Sequence, residues 1–264
     1  MADRSDLEAA AAAGVIKAEQ VTPLSDFLAA RANASPAAAA IPALPGEENL
    51  RFIRNFHDVF LAIGIVLLAV GLAVFIGTTV SGAASPEQGT VMTGALSAGA
   101  AGVMWLLGEF FARRRRLFLP AIAIVCALTV FVVIAAATLY AGVLLGRGFG
   151  ERPTDLDGMP PELRSGILIA MGFAFVAPLV FYLRFRLPFS LGLAGAGAAL
   201  FVIVACLIVD LDATIQMLPS LYLVLGGVLF AAGVAFDARD PARATRFSDN
   251  GFWLHFAAAP LILN

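Results

Sequence analysis

Six long apolar segments stand out in the pattern of hydrophobic and polar positions along the chain. Each is long enough for an α-helix to cross a hydrocarbon layer of about 30 Å, which takes about 20 residues. The predicted spans cover residues 59–80, 91–111, 117–145, 166–183, 187–209 and 218–236. A further apolar run, 252–264, is too short to cross. It is either a half-span packed against protein or the start of a seventh helix in a longer chain, and we favour the second interpretation.

The segment before the first span has a different pattern. Residues 1–32 predict a small helical hairpin, because Gly14 is a natural stop between two stretches with helical apolar spacing and Pro23 falls in a first turn. Residues 33–49, rich in Ala and Pro, predict a linker. Since so small a hairpin cannot build a sufficient core, we expect it to dock on the membrane domain, on its own copy or on a partner.

Residues 50–264 form the predicted transmembrane domain, which opens with an amphipathic stretch. Leu50, Ile53 and Phe56 recur at helical spacing against Arg51 and Arg54. We expect this stretch to lie at the lipid interface before the chain turns into the bilayer. The predicted fold is all-α: a polytopic transmembrane helical bundle with six full spans, a C-terminal half-span and a small cytoplasmic N-terminal hairpin.

Composition supports lipid as the solvent of this bundle. Hydrophobic residues make up 60% of the chain and charged residues 14%, a balance that a water-soluble domain could not cover with polar surface. The net charge of -2 indicates no global attraction to nucleic acid. Lys17 is the only lysine beside many arginines and alanines, a usage typical of a GC-rich bacterial genome.

The distribution of arginines predicts the orientation. With the N-terminus in the cytoplasm, eleven arginines near the spans are cytoplasmic and three lie on the opposite side, as the positive-inside rule requires. The first set is Arg51, Arg54, Arg113, Arg114, Arg115, Arg116, Arg184, Arg186, Arg239, Arg243 and Arg246, and the second is Arg147, Arg152 and Arg164. The sequence therefore predicts a multi-pass protein of the bacterial inner membrane.

Glu109 is the acid that lies well inside a predicted span, which makes it a functional candidate. Arg113 follows four residues later in the favourable order, so we expect an interfacial ion pair more than a proton or ion relay. The run of Arg113, Arg114, Arg115 and Arg116 predicts a cytoplasmic turn that fixes topology. The alternative for this run is a site for an anionic lipid head group or for the acidic patch of a partner.

The fourth and fifth spans carry unusual residues. Pro178 removes the hydrogen bond to the carbonyl of Ala174, so we expect a kink and a neighbour for the freed carbonyl. The fifth span contains a set of small residues, Gly192, Gly195, Ala196, Gly197 and Ala199. At this spacing they predict the close approach of another helix, and an oligomer contact or a narrow path are the alternatives.

Few residues suggest a metal site. The tripeptide Asp-Leu-Asp occurs at 155–157 and again from Asp210 to Asp212, and the two copies could gather a cation, although we expect solvated acidic loops. Cys126 and Cys206 lie inside apolar runs, where we expect neither a disulfide nor a metal site. Because the chain also has no nucleotide-binding loop, zinc-ligand spacing or nucleophile elbow, we expect no cofactor and no enzyme activity.

The N-terminal hairpin carries a family resemblance. Gly14, Val15 and Ile16 followed by Glu19 and Gln20 resemble the opening of a large bacterial family of predicted membrane proteins of unknown function, which begin with a short helical Gly-Leu-Ile-Ser-x-Glu-Gln type element. In this chain a lysine replaces the usual Ser or Thr. The resemblance covers about the first thirty residues and the general topology, and it implies no activity, substrate or catalytic residue.

Two functions fit this sequence. The favoured one is an accessory, scaffold or sensing component that acts through partner contacts or self-association of residues 1–32 and of the fifth span. The alternative is a transporter or channel for a small or apolar solute, suggested by Pro178 and Glu109. A water-accessible cavity at mid-membrane that contains Glu109 or the carbonyl of Ala174 would favour transport.

Overall fold

The protein is an all-α polytopic helical bundle, and six helices among its described residues are long and apolar enough to span a membrane. The structure, a computed structural model, describes residues 4–33, 47–115, 117–148, 159–239 and 246–263, and no strand occurs among them. The chain divides into two compact units, Met1–Asn55 and Phe56–Asn264. The prediction of an integral membrane protein with six full spans is confirmed at the level of fold.

The first unit contains the predicted helical hairpin. Helix α1 covers Arg4–Ala12, a 3₁₀ turn covers Ala18–Gln20, and α2 covers Val21–Asn33. Gly14 takes a φ of 73°, and its N–H donates to the carbonyl of Ala11 at 3.1 Å, so it ends α1 as a left-handed C-terminal residue. The predicted linker lies mostly outside the described residues, but its last positions, 47–49, are helical instead.

Helix α3 covers Glu47–Val80, and its spanning part is His57–Val80. The predicted turn between the amphipathic stretch and the first span is wrong, because the helix runs through both without interruption. No glycine or proline stands between Glu47 and Ile63, so no residue there breaks the helical hydrogen bonds.

Five further long helices follow α3. They are α4 (Pro86–Gly108), α5 (Phe118–Gly146), α6 (Pro161–Phe185), α7 (Pro188–Val209) and α8 (Leu211–Asp237). A π-helical turn, Glu109–Arg114, extends α4. Most of these helices are longer than the predicted spans because polar residues begin them: Ser85 Oγ accepts from Gln88 N at 3.2 Å and thereby caps α4.

The C-terminal helix, α9, covers Arg246–Ile262 and begins before the predicted apolar run. It packs against α7 and α8 and buries Leu254 and Ala258. At Gly192 of α7, an added Cβ would lie 2.7 Å from the carbonyl oxygen of Trp253, so the two backbones are in close contact. Packing of this kind is what the half-span interpretation predicts.

The core of the bundle lies between α4, α5 and α6. Met104, Ile124, Val125 and Phe181 are fully buried there. Small residues allow close packing at the edges of the core: an added Cβ on Gly94 of α4 would lie 2.5 Å from a side-chain carbon of α5. Because lipid supplies no hydrophobic driving force between helices, such close packing is a main source of helix association.

The outer helices bury much less of their surface. Over the 18 most apolar consecutive residues of each helix, 39% are buried in α5, whereas 11% are buried in α3 and in α8. Among the residues that the structure describes, α3 buries Ile65 and Ile76 in the core, and three partly buried side chains of the same helix pack against it, Ala69, Leu72 and Val80. Leu67, Val70 and Val74 on its outer face are more than half exposed.

Candidate functional site at the arginine-rich end

Most of the described charges of the unit Phe56–Asn264 lie at the end of the bundle where α4, α6 and α8 finish and α5, α7 and α9 begin, which we name the arginine-rich end. The π-helical turn at the end of α4 is its first unusual feature. Two backbone hydrogen bonds in this turn span more residues than the four of an α-helix. They run from Arg115 N to Phe110 O and from Leu117 N to Phe111 O, both at 3.1 Å. Turns of this kind are rare and often lie at functional sites.

Glu109 opens the π-helical turn and binds two arginines. Its Oε2 accepts from Arg113 Nη1 at 3.2 Å, and its Oε1 accepts from Arg184 Nε at 2.8 Å. The predicted ion pair with Arg113 is therefore confirmed, whereas Arg184, which links α4 to α6, was missed. With a guanidinium on each oxygen, the carboxylate acts as a bridge between the two helices.

Arg114 and Arg115 follow with no carboxylate partner among the described residues. The guanidinium of Arg115 lies 5.6 Å from the centre of the Phe110 ring, in a cation–π arrangement. Arg114 is exposed, and Arg116 lies outside the described residues. The predicted arginine run therefore presents at least two cations that no acid in the described part of the chain neutralises.

A cavity of about 600 Å³ adjoins these arginines. The described part of its wall is one face of α4 and of the π-helical turn, formed by Leu106, Glu109, Phe110, Arg113 and Arg114. Leu106 is 69% exposed and Phe110 is 41% exposed. One face of the helix therefore gives the cavity a charged wall at the end of the bundle and an apolar wall beside it.

The connection between α6 and α7 lies at the same end. It consists of Arg186 and Leu187 alone, and Arg186 takes a left-handed conformation with a φ of 56°. Its N–H donates to the carbonyl of Tyr182 at 2.7 Å and so ends α6. A glycine is usual at such a position, since a Cβ is unfavourable there.

Pro178 lies in the bundle interior, away from the arginines. It is fully buried in α6, which continues through it from Pro161 to Phe185. The freed carbonyl of Ala174 has the predicted neighbour, which is the backbone of Gly197: an added Cβ at Gly197 would lie 2.5 Å from the carbonyl oxygen. Close packing of two helices therefore occupies the space beside this carbonyl.

The predicted acidic pair Asp210 and Asp212 lies at the opposite end of the bundle. Asp210 is the N-cap of α8, since its Oδ1 accepts from the N–H of Ala213 at 2.9 Å, and Asp212 lies in the first turn of that helix. The other copy, 155–157, lies outside the described residues. A capping role accounts for Asp210 without a cation.

Two polar contacts of α9 were missed from the sequence. His255 Nε2 lies 3.0 Å from Asp237 Oδ2 of α8, and Asn250 Nδ2 donates to the hydroxyl of Tyr182 at 2.8 Å. Asn250 is buried, and its Oδ1 is without a partner among the described atoms. Gly233 makes room for the contact between His255 and Asp237, since an added Cβ at Gly233 would lie 2.7 Å from the His255 ring.

Among the residues that the structure describes, no three of His, Cys, Asp and Glu come close enough to hold a metal ion. Comparison of the chain with known protein families, with curated proteins and with solved structures gives no match, and the resemblance of the N-terminal element stays a prediction.

Proposed function

We propose that the protein is a non-enzymatic component of a bacterial inner membrane, with a cytoplasmic N-terminus, that serves as an accessory, scaffold or sensing element through contacts with partner proteins. The observation that carries this proposal is the low burial of α3, in which 11% of the 18 most apolar consecutive residues are buried. Leu67, Val70 and Val74 lie on one outer face of this helix. A partner's transmembrane helix can pack against that face without displacing any part of the bundle.

The state of the interior polar groups supports a partner-binding role over transport. The carboxylate of Glu109 is engaged by Arg113 and Arg184 at the arginine-rich end. The carbonyl of Ala174 packs against Gly197 between α6 and α7. A transport path needs polar groups that face a water-filled space at mid-membrane. The cavity that Glu109 lines is instead at the arginine-rich end, where its carboxylate is paired, and the carbonyl of Ala174 is packed.

Site-specific photo-crosslinking in intact cells tests the proposal. A photoreactive amino acid at Val70 of α3 should give a discrete protein adduct. Val130 of α5 is the matched control, because its exposed fraction, 55%, is close to the 54% of Val70. Lipid adducts alone at both positions would contradict a docking face on α3.

Deletion of residues 1–32 gives a second arm of this test, since the predicted hairpin is the other proposed contact. We expect the adduct at Val70 to weaken in the deleted chain while the membrane level of the protein stays constant. An unchanged adduct would remove the hairpin from the proposed interface and leave α3 as its only described part.

A further inference from the structure

We propose that the cavity beside the π-helical turn binds the head group of an anionic phospholipid, with the arginines at one end and an acyl chain along the apolar side. This site is independent of the partner contacts proposed above, because it lies on α4 and the π-helical turn and not on α3. The cavity wall formed by Leu106, Glu109, Phe110, Arg113 and Arg114 carries the inference.

The charges beside the cavity are unbalanced among the described residues. Arg113 and Arg184 pair with the carboxylate of Glu109, while Arg114 lies in the cavity wall and Arg115 lies over the Phe110 ring. These four arginines and one carboxylate leave three positive charges in excess. Arg114 lines the cavity without an acidic partner in the described part of the chain. An anion that enters the cavity would therefore neutralise a cation that the described residues leave unpaired.

Apolar side chains continue the cavity wall beyond the arginines. Leu106, Phe110, Arg113 and Arg114 all line the cavity, so the four share one face of α4 and the π-helical turn. The exposed Leu106 lies on the part of α4 that is inside the span, and the arginines lie at its end. A ligand with a charged head and an aliphatic chain matches this order, whereas a free phosphate would leave Leu106 and Phe110 uncovered.

A cation–π contact holds a second arginine beside the cavity. The ring of Phe110 lies beneath the Arg115 guanidinium, which holds this cation next to the cavity wall instead of letting it extend into solvent. A preorganised cation loses less side-chain freedom when an anion binds. The site therefore offers one unpaired arginine in the wall and a second, fixed arginine beside it.

Native mass spectrometry of the full chain, with dioleoyl phosphatidylglycerol or dioleoyl phosphatidylcholine added to neutral detergent, tests the site. We expect the wild-type protein to retain one phosphatidylglycerol molecule at lower lipid concentration than phosphatidylcholine. The substitution Arg114→Gln should weaken phosphatidylglycerol binding about fivefold, as expected for the loss of one basic residue at the membrane surface. It should leave phosphatidylcholine binding unchanged.

Arg239→Gln is the matched control. Arg239 lies just after the end of α8 and is not among the described residues of the cavity wall, so it has the same charge as Arg114 outside this cavity; like Arg115, it lies over a ring, 5.8 Å from the centre of Phe236. We expect its phosphatidylglycerol binding to stay within about twofold of the wild type. Equal losses in the Arg114→Gln and Arg239→Gln proteins would overturn the proposal, since they would indicate general surface attraction.

Two further measurements separate a lipid site from other outcomes. Glu109→Gln removes the carboxylate that pairs with Arg113 and Arg184 and should tighten phosphatidylglycerol binding. Weaker binding at an unchanged unfolding temperature would contradict a role for the excess positive charge. Inorganic phosphate should fail to displace the lipid, because it lacks the acyl chain that covers Leu106 and Phe110. Displacement by phosphate at the lipid's own concentration would overturn the assignment to a lipid.

Discussion

The glycines of α3 and those of α7 meet different surroundings, although each helix carries three. On α3, an added Cβ at Gly64, Gly71 or Gly77 would have nothing within 4 Å. On α7, Gly192 and Gly197 each lie against the backbone of another helix, at Trp253 and Ala174, and Gly195 lies against side chains of α8 and α9.

The difference shows how helices are held together where water supplies no driving force. Helix α7 is fixed by backbone-to-backbone contacts that only glycine allows, and the small residues of this span are used within the chain. Helix α3 also carries glycines that would allow another helix to approach closely, but no described helix of the bundle packs against them. The sequence composition of a span therefore does not reveal which neighbour its small residues serve.

The largest effect is expected at Gly197. In the Gly197→Ala protein, the new Cβ would meet the carbonyl oxygen of Ala174 at 2.5 Å, and a backbone atom cannot move aside as a side chain can. We expect the free energy of unfolding to fall by about 3 kcal/mol, the upper part of the usual range for overpacking. Unfolding in mixed micelles with increasing SDS measures the change. A loss no larger than that of an exposed substitution would mean that α6 and α7 separate easily.

An intermediate effect is expected at Gly233. Here an added Cβ would meet the ring of His255 at 2.7 Å, which is a side chain and can rotate away. Rotation would weaken the contact between His255 and Asp237, so we expect Gly233→Ala to cost about 1 kcal/mol. The same SDS titration applies, and the double variant Gly233→Ala with His255→Ala should recover part of the loss. No recovery would show that the His255 ring is not the obstacle.

The smallest effect on stability is expected at Gly71 of α3, with the opposite sign. Because nothing lies near the added Cβ, Gly71→Ala should raise the free energy of unfolding by up to about 1 kcal/mol through the higher helix propensity of alanine. The crosslink from Val70 to a partner should weaken in this variant, since the extra methyl group separates the helices. A large loss of stability would place Gly71 inside a contact and would break the comparison between the two helices.

The six spans could be predicted from the sequence because length and hydropathy decide whether a helix crosses a bilayer. The ion pair of Glu109 with Arg113 was also within reach, since four residues bring two side chains to one face of a helix. The error at the start of α3 has a physical reason as well. An amphipathic pattern indicates which face meets water, but it does not indicate a turn when no helix-breaking residue follows.

The contacts between distant residues could not be predicted. Arg184 reaches Glu109 across 75 positions, and Asn250 reaches Tyr182 across 68, and nothing in their local sequence indicates a partner. The neighbour of the Ala174 carbonyl was expected from Pro178, but its identity, a glycine backbone, depends on how α6 and α7 cross. Hydropathy fixes which helices enter the membrane and leaves their pairing to packing.

The two-residue connection at Arg186 has a consequence for membranes of different thickness. Helices α6 and α7 contain 25 and 22 residues, which correspond to about 38 and 33 Å of rise, so both exceed a hydrocarbon layer of about 30 Å. With so short a joint and arginines on both sides of Phe185, neither helix can slide past the other. In a thinner bilayer, α6 and α7 must therefore tilt together as a rigid pair.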